Sequence, residues 1–341
     1  MDKIIRKIIT FMSLLLLTAA VNEAEISIQP FFTDPQNLSG AEVLPADALR
    51  KVINLSEKNI YLALYDLDDE QIADSLVAAK ERGVEVRLVT DSDNLFNESV
   101  KLLVRNGIEI VSDNRSGLMH DKFILIDGVY LWTGSYNVTL NGNNKNNNNA
   151  LLIKSQKLYE IYFDEFNEMF EYHIFGNKKD TSFTFKGKNK HYVESSEYKI
   201  NVFFSPEDDI EKNIIKKIEK AGESINFMAF SFTSDGIGAE MIKAAGRGVE
   251  VRGIFEAYGS ETEYSEYGKM LQYGLKVKKD SNPAYLHHKV IIIDGEWVLT
   301  GSYNFSQNAQ KKNDENAIFI KNAELAGKYT KEFDVLYSSA R

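Results

Sequence analysis

Apolar runs alternate with amphipathic stretches along most of the chain, and the whole pattern occurs twice. Residues 60–67 and 225–232 both predict buried strands. The segments ERGVEVR (81–87) and GRGVEVR (246–252) lie at the same offset from those strands. Such similarity at a fixed offset indicates an internal duplication, whose unit is too long for a solenoid repeat.

Each half predicts the same order of elements from its periodicity and its glycine punctuation. The predicted helices are 42–56, 69–82 and 95–105 in the first half, and 209–222, 235–247 and 262–272 in the second. The predicted strands are 60–67, 84–90, 108–111, 123–127 and 130–133, and then 225–232, 249–255, 275–278, 290–294 and 297–300. A last helix closes each half. Alternating strands and helices are typical of an α/β sandwich with a mixed, largely buried sheet.

The repeat also predicts the domain organisation. We expect a first α-β-α repeat at 25–171, a connector at 172–200 and a second repeat at 201–341, with the two repeats related by a pseudo-twofold axis. The asparagine-rich tract NGNNKNNNN (141–149) is typical of a low-complexity loop.

Residues 1–20 predict a secretory signal peptide. Basic residues among the first seven precede an apolar run at 8–20 that ends in Thr18-Ala19-Ala20, a small-residue cleavage pattern. An uncleaved anchor is the alternative, although the run is shorter than the about 20 residues that span a bilayer. We therefore expect a secreted or periplasmic protein, membrane-anchored only if the leader is retained.

Composition narrows the possibilities further. The chain is 43% hydrophobic and has no cysteine, so its core must hold without disulfides. Its net charge of −10 argues against non-specific binding of nucleic acid. The lysine-rich tract 178–199 is a local exception, and we interpret it as a solvated linker.

A polar motif brackets the apolar strand at 123–127 and recurs at 290–294. It comprises His120, Lys122, Asp127, Gly134, Ser135 and Asn137, and then His287, Lys289, Asp294, Gly301, Ser302 and Asn304. In a strand, alternate side chains share one face, so each histidine lies beside a lysine. Imidazole, ammonium, hydroxyl and amide groups together suit the oxygens of a phosphate.

The doubled motif resembles HxK(x)4D(x)6GSxN of the phospholipase D superfamily, and the resemblance covers nearly the whole chain after the leader. It implies one active site shared by two phospholipase D-like repeats. One histidine would attack phosphorus to form a phosphohistidine, while the other would protonate the leaving group and then activate water, without a metal or cofactor. The implied catalytic residues are His120, Lys122, His287 and Lys289, and the implied phosphate-binding residues are Ser135, Asn137, Ser302 and Asn304.

Three acidic residues are expected to support the site. Asp127 and Asp294 end strands and are typical of residues that hold a turn. In the family, an acidic residue downstream commonly supports the histidine ring. Glu315 lies as far along the chain after His287 as Asn148 lies after His120. We therefore expect Glu315 to support His287, which would then be the nucleophile.

Several functions remain open. A phosphodiester hydrolase acting on a phospholipid or a nucleic acid is favoured, with no obligatory protein partner. A metal-independent endonuclease is one alternative, because large insertions that would form a lid are missing. The other is a non-catalytic polyanion-binding homologue, which Asn148 alone supports.

Overall fold

The computed structural model of the protein describes residues 26–41, 43–176 and 191–341. The predicted signal peptide and residues 178–190 of the lysine-rich tract lie outside the described residues. Within the described part, no helix is both long enough and apolar enough to cross a bilayer.

The first half folds into a sheet flanked by helices. Its strands are β1 (Ser27–Phe32), β2 (Asn59–Leu64), β3 (Glu85–Thr90), β4 (Glu109–Ser112), β5 (Lys122–Ile126), β6 (Tyr130–Gly134) and β7 (Asn149–Lys154). Its helices are α1 (Pro45–Leu55), α2 (Glu70–Glu81), α3 (Glu98–Arg105), α4 (Leu140–Asn144) and α5 (Gln156–Phe170).

The second half repeats this plan. Its strands are β8 (Tyr192–Glu194), β9 (Lys199–Ser205), β10 (Ser224–Ala229), β11 (Glu250–Phe255), β12 (Lys276–Lys279), β13 (Lys289–Ile293), β14 (Trp297–Gly301) and β15 (Glu315–Lys321). Its helices are α6 (Ile210–Ile218), α7 (Asp235–Gly246), α8 (Glu266–Gln272), α9 (Gln307–Lys311) and α10 (Ala323–Ser339).

Both sheets are mixed and have the same topology, except that the second sheet has an additional edge strand, β8. The strand orders are β1-β7-β6-β5-β2-β3-β4 and β12-β11-β10-β13-β14-β15-β9-β8. Strands β2, β3 and β4 are parallel, as are β10, β11 and β12, whereas the motif hairpins pair antiparallel. The predicted α/β fold with two repeats and mixed sheets is confirmed.

The closing helices of the two halves share one core. Phe166 of α5 and Phe333 of α10 are both 0% exposed and belong to one apolar cluster that draws on both sheets. The outer sheet faces are covered separately, by α1 to α3 and by α6 to α8. Each large apolar side chain buried in this way stabilises the fold by about 1.5–3 kcal/mol. The shared cluster therefore holds the two halves together.

The sheets are wider than the sequence predicted, because β1, β7, β8, β9 and β15 were not expected. The predicted loop at 141–149 is wrong at both ends, because its first residues lie in α4 and Asn149 begins β7. Asn147, Asn148 and Asn149 are 2%, 0% and 0% exposed. Their amides find partners inside the protein: Asn149 Oδ1 accepts from Thr300 Oγ at 2.7 Å and from the Tyr329 hydroxyl at 3.0 Å. Asparagine can be buried once its amide is satisfied, so polarity here did not indicate exposure.

The second half begins earlier than its predicted boundary at residue 201. Strand β8 and the first residues of β9 lie within the stretch 172–200 that we assigned to the connector. They pair with each other, and β9 pairs with β15. Because β8 is short and mostly exposed, its sequence has no clear hydrophobic alternation.

Asp127 and Asp294 hold loops rather than the reactive region. Asp127 accepts hydrogen bonds from the backbone N–H groups of residues 57–59, and Asp294 does so from residues 222–224. Partial burial opposes ionisation of Asp294, but these three donors outweigh it and hold the pKa of its carboxyl below the usual value. Both residues have positive φ, of 55° and 52°, which aspartate tolerates better than most residues.

Replacing Asp127 with alanine is expected to destabilise the fold without altering the chemistry. The Asp127→Ala change removes a charged acceptor of three backbone N–H groups, which we expect to lower the free energy of unfolding by about 1–3 kcal/mol. Asp127→Asn keeps an oxygen acceptor and the tolerance of positive φ, so its loss should be smaller. Urea unfolding measures both variants. A large fall in kcat with unchanged stability would instead place Asp127 in the catalytic machinery.

Candidate active site

The two histidine segments lie where the halves meet, and each pairs with the backbone of the other half. The His120 N–H donates to the Asp314 carbonyl at 2.9 Å, and the His287 N–H donates to the Asn147 carbonyl at 2.9 Å. Return bonds from the Asp314 and Asn147 N–H groups close two short parallel bridges. The same contact, made once in each direction, brings both histidines to one junction.

The motif lysines are buried beside their histidines. Lys122 and Lys289 open β5 and β13, and each is 1% exposed. The Lys122 Nζ donates to the His120 carbonyl at 2.7 Å, and the Lys289 Nζ donates to the His287 carbonyl at 2.9 Å. Two ammonium groups are thus held at the junction, as a phosphate site requires.

Glu315 lies behind the ring of His120. The His120 Nδ1–H donates to Glu315 Oε2 at 2.7 Å, and the carboxylate is 0% exposed. The expectation that Glu315 supports His287 is therefore wrong. The bridge between Met119 and Asp314 places the start of β15 against the histidine of the first half. Glu315 supports the histidine of the opposite repeat.

Asn148 occupies the matching position behind His287. The His287 Nδ1–H donates to Asn148 Oδ1 at 2.9 Å and to the Ser135 carbonyl at 3.1 Å. The amide orientation follows from its other end, because Asn148 Nδ2 donates to the Gly142 carbonyl at 2.9 Å. Both histidines therefore carry the proton on Nδ1 and leave Nε2 for chemistry, but one has an acid behind it and the other a neutral amide.

The motif glycines allow two strands to approach closely. Gly134 and Gly301 have φ of 146° and 138°, a region that side chains rarely adopt. A Cβ at either position would collide with the carbonyl oxygen of Asn149 or Asn316 on the neighbouring strand. Glycine therefore lets the serine that follows reach the group behind a histidine.

The motif serines contact those supporting groups. Ser135 Oγ donates to Asn148 Oδ1 at 3.0 Å, and Ser302 hydrogen-bonds Glu315. Both serines are 0% exposed. In this structure their hydroxyls fix the supports of the histidines, and direct binding of phosphate by Ser135 and Ser302 stays a prediction.

The motif asparagines are better placed to offer their side chains to a ligand. Asn137 and Asn304 are only partly buried. The Oδ1 atom of each has no hydrogen-bond partner among the described residues. Oδ1 only accepts hydrogen bonds, so contact with phosphate oxygens would need the Nδ2 donors, and the predicted role of both residues in binding phosphate stays a prediction.

Sequence reasoning missed two aromatic residues that pack on the histidines. The rings of Tyr65 and His120 are 5.0 Å apart, and those of Phe230 and His287 are 4.8 Å apart, both edge to face. These aromatic residues occupy corresponding places after β2 and β10. An aromatic residue kept at one place of the duplicated pattern was the signal that could have found them.

A second layer of bonds across the interface was also missed. Thr133 Oγ donates to Asn316 Oδ1 at 2.9 Å, and Thr300 Oγ donates to Asn149 Oδ1 at 2.7 Å. His288 lies in this layer with its Nδ1 3.0 Å from Asn149 Nδ2. These satisfied buried bonds fix the register between the two sheets.

The two motif lysines and the two motif histidines lie in one region, because charges from both halves affect the pKa of each histidine. Burial lowers the pKa of His120 well below its usual value, and the charges of Lys122 and Lys289 lower it further. Burial also lowers the pKa of His287, and the charges of Lys289, Lys122 and His120 lower it further. Charges from both halves act on each ring, and a bound phosphate would counter them.

Burial also shifts the remaining charged groups. It lowers the pKa of Lys122 to about 8, against the opposing charges of Glu315 and Asp121. It lowers the pKa of Lys289 well below the usual value. Burial raises the pKa of Glu315 to about 7, although the charge of Lys122 acts in the opposite direction. A dianionic or monoanionic ligand would keep both lysines protonated.

One acidic grouping has the spacing of a metal site. Within the described residues it comprises Glu165, Glu168 and Glu207, and it shares no residue with the histidine site. The histidine site itself offers ammonium groups, which repel a cation.

The sequence and fold are similar to those of known proteins. The family described as "Cardiolipin synthase, PLD-like domain" matches residues 49–170 and 214–337. A protein named phospholipase D from Rickettsia bellii is 37% identical over 155 residues, which are 45% of this chain and 77% of the relative. A mitochondrial cardiolipin hydrolase from Chlamydomonas reinhardtii is 32% identical over 34% of this chain and 52% of its own length.

A solved structure shares the fold over most of the chain. Phosphatidylserine synthase from Haemophilus influenzae superposes with a TM-score of 0.65 and 12% identity, over 92% of this chain and 87% of that one. At this identity the likeness concerns the fold alone. The family match, however, takes in both halves and with them both histidine motifs. The chain therefore belongs to the phospholipase D superfamily of phosphodiesterases.

Proposed function

We propose that the protein hydrolyses phosphodiesters in two steps, with His120 as the nucleophile and His287 as the general acid and base. The observation that carries this assignment is the crossed pairing, in which Glu315 supports His120 and Asn148 supports His287. The assignment reverses the one expected from sequence, because the carboxylate supports the other ring.

In the first step, His120 Nε2 attacks phosphorus and the bond from phosphorus to the leaving alcohol breaks. Protonated His287 Nε2 gives its proton to that oxygen, so the alcohol leaves neutral. In the second step, neutral His287 takes a proton from water, which attacks phosphorus. The phosphorus–nitrogen bond breaks and releases a phosphomonoester, and one water is consumed in all.

The unequal supports suit these unequal roles. Attack turns neutral His120 into a cationic phosphoimidazolium, which the buried Glu315 carboxylate stabilises. His287 must gain and lose a proton in every turnover. A neutral amide orients its ring without stabilising the charged form strongly, so Asn148 favours that cycling. Lys122 and Lys289 stabilise the non-bridging oxygens as charge shifts in the transition state.

We propose a phospholipid as the substrate and a nucleic acid as the alternative. Support comes from the relatives named phospholipase D and cardiolipin hydrolase, and from the net charge of −10, which disfavours a polyanion. We further propose export from the cytoplasm, on the basis of the leader-like residues 1–20.

Removing either histidine is expected to abolish hydrolysis. Removing divalent metal ions with a chelator is expected to leave hydrolysis intact. His120→Ala and His287→Ala should each lower kcat/KM by at least about a thousandfold, because each removes a covalent or proton-transfer role. His191→Ala, a partly exposed histidine that hydrogen-bonds Asp208, serves as the control and should stay active. Turnover is measured in EDTA on phosphatidylcholine, single-stranded DNA, duplex DNA and RNA. Activity that needs a divalent metal, or survives in His120→Ala, would contradict the proposal.

The covalent intermediate is expected on His120. A p-nitrophenyl phosphodiester has a leaving group that needs no proton, so His287→Ala should complete the first step and stall before hydrolysis. Mass spectrometry after an alkaline quench should then locate the phosphoryl adduct on His120. Wild-type protein should accumulate less of it. In His120→Ala no adduct should form, and an adduct on His287 would reverse the assigned roles.

The pH profile provides an independent test of the roles. The nucleophile must be neutral and the acid protonated, so His120 sets the acid limb of kcat/KM and His287 sets the alkaline limb. Asn148→Asp places a carboxylate behind His287 and raises its pKa, so the alkaline limb should move up by about one pH unit. Glu315→Gln should move the acid limb down and lower the rate about 10- to 100-fold. A shift of the acid limb in Asn148→Asp would show that His287 is the nucleophile.

A further inference from the structure

Three large aromatic side chains extend into solvent from two loops that correspond in the two halves. Phe96 is 77% exposed, and Tyr258 and Tyr264 are 83% and 71% exposed. Phe96 follows β3, whereas the two tyrosines follow β11. We refer to Phe96, Tyr258 and Tyr264 as the aromatic rim.

The strand pairing places the loops of the aromatic rim at the same end of the sheets as the histidines, where β3 and β11 finish. At the end of β3, Thr90 pairs with Leu64, which pairs in turn with Lys122. The second half repeats this row with Phe255, Ala229 and Lys289. Each aromatic loop therefore leaves its sheet on the side where the site opens.

The bases of both loops are tied to the residues that precede the histidines. The Asp91 carboxylate accepts from the Met119 N–H at 2.9 Å, and the Glu256 carboxylate accepts from the Leu286 N–H at 2.6 Å. Glu256 also accepts from the Tyr258 N–H at 2.9 Å. The loops are thus fixed at the site while their aromatic tips remain exposed.

The charges of these loops indicate what they can contact. Residues 91–97 and 256–265 contain neither lysine nor arginine, and their exposed carboxylates are Asp93, Glu261 and Glu263, of which Glu261 pairs with Lys279. The other two carboxylates, Asp91 and Glu256, are buried at the bases of the loops. Such loops repel the phosphates of a nucleic acid and the surface of a strongly anionic membrane. Zwitterionic headgroups have no net charge to repel them and offer ammonium groups to the carboxylates. Aromatic rings, for their part, are favoured at the boundary between headgroups and acyl chains.

We propose that the aromatic rim inserts into the surface of a zwitterionic phospholipid bilayer and so sets the histidine site against the headgroup phosphates. The proposal goes beyond the phosphodiesterase chemistry, because insertion needs no turnover.

The absence of cysteine from the sequence allows the rim to be probed one residue at a time. Phe96→Cys and Tyr258→Cys, each labelled with an environment-sensitive fluorophore, are mixed with phosphatidylcholine vesicles. Tyr273→Cys is the matched control. Tyr273 is 69% exposed but precedes β12, which is parallel to β11, so it lies at the opposite end of the strands from the aromatic rim. Labels at 96 and 258 should become blue-shifted and severalfold brighter, and the label at 273 should not.

A kinetic comparison completes the test. In Phe96→Ser/Tyr258→Ser, turnover of vesicular phosphatidylcholine should fall at least about tenfold, because membrane binding scales with the apolar area inserted. Turnover of a monomeric short-chain phosphatidylcholine should be unchanged, as should both activities of Tyr273→Ser.

Two results would overturn the inference. One is a rim label that does not respond to vesicles. The other is a rim label that responds to a single-stranded oligonucleotide instead, which would indicate stacking of bases. Labels that insert in a chain without hydrolytic activity would contradict the proposed function alone, so the two failures can be told apart.

Discussion

Each reactive histidine is held from behind by a side chain of the opposite half, and the active site depends on this exchange. Glu315 reaches His120 and Asn148 reaches His287, at 2.7 and 2.9 Å. Among the described residues, the hydrogen-bond partners of both Nδ1 atoms come from the opposite half. The backbone bridges at Asp314 and Asn147 and the shared apolar core together keep the exchange in register.

In the proposed mechanism, the exchange gives the two copies of the duplicated chain different roles. The halves share strand order, motif spacing and buried lysines, so geometry alone treats the histidines alike. One carboxylate and one amide break that symmetry. The carboxylate favours the cationic form of the ring that it contacts, whereas the amide orients its ring with little preference for charge. The proposed division of labour rests on this one difference behind the rings.

Much of this could be predicted from the sequence, because strong local patterns encode it. The motif strands are continuous apolar runs, and the duplication fixes the fold class, the two halves and the principal residues His120, Lys122, His287 and Lys289. Asp127 and Asp294 could be assigned to turns because aspartate at a strand end has a known local preference.

What the sequence did not predict depends on contacts between distant segments. The partner of Glu315 was misassigned, because its spacing along the chain indicated His287, the histidine of the same half. The parallel bridge at Asp314 instead places Glu315 beside His120 of the other half. Asn147 to Asn149 were expected in a loop, since nothing local shows that their amides would be satisfied inside the interface. The exposed position of Phe96 and Tyr258 was equally invisible, because apolar residues in sequence usually indicate burial.

The most direct measurement is NMR of the protein with ¹⁵N-labelled histidine during titration with inorganic phosphate. The crossed, shared site predicts that the ring nitrogens of His120 and His287 shift together and saturate at one phosphate per chain. It also predicts that Glu315→Gln alters the Nδ1 resonance of His120 and leaves that of His287 nearly unchanged. Two independent saturation curves, or a Glu315→Gln effect confined to His287, would contradict the account.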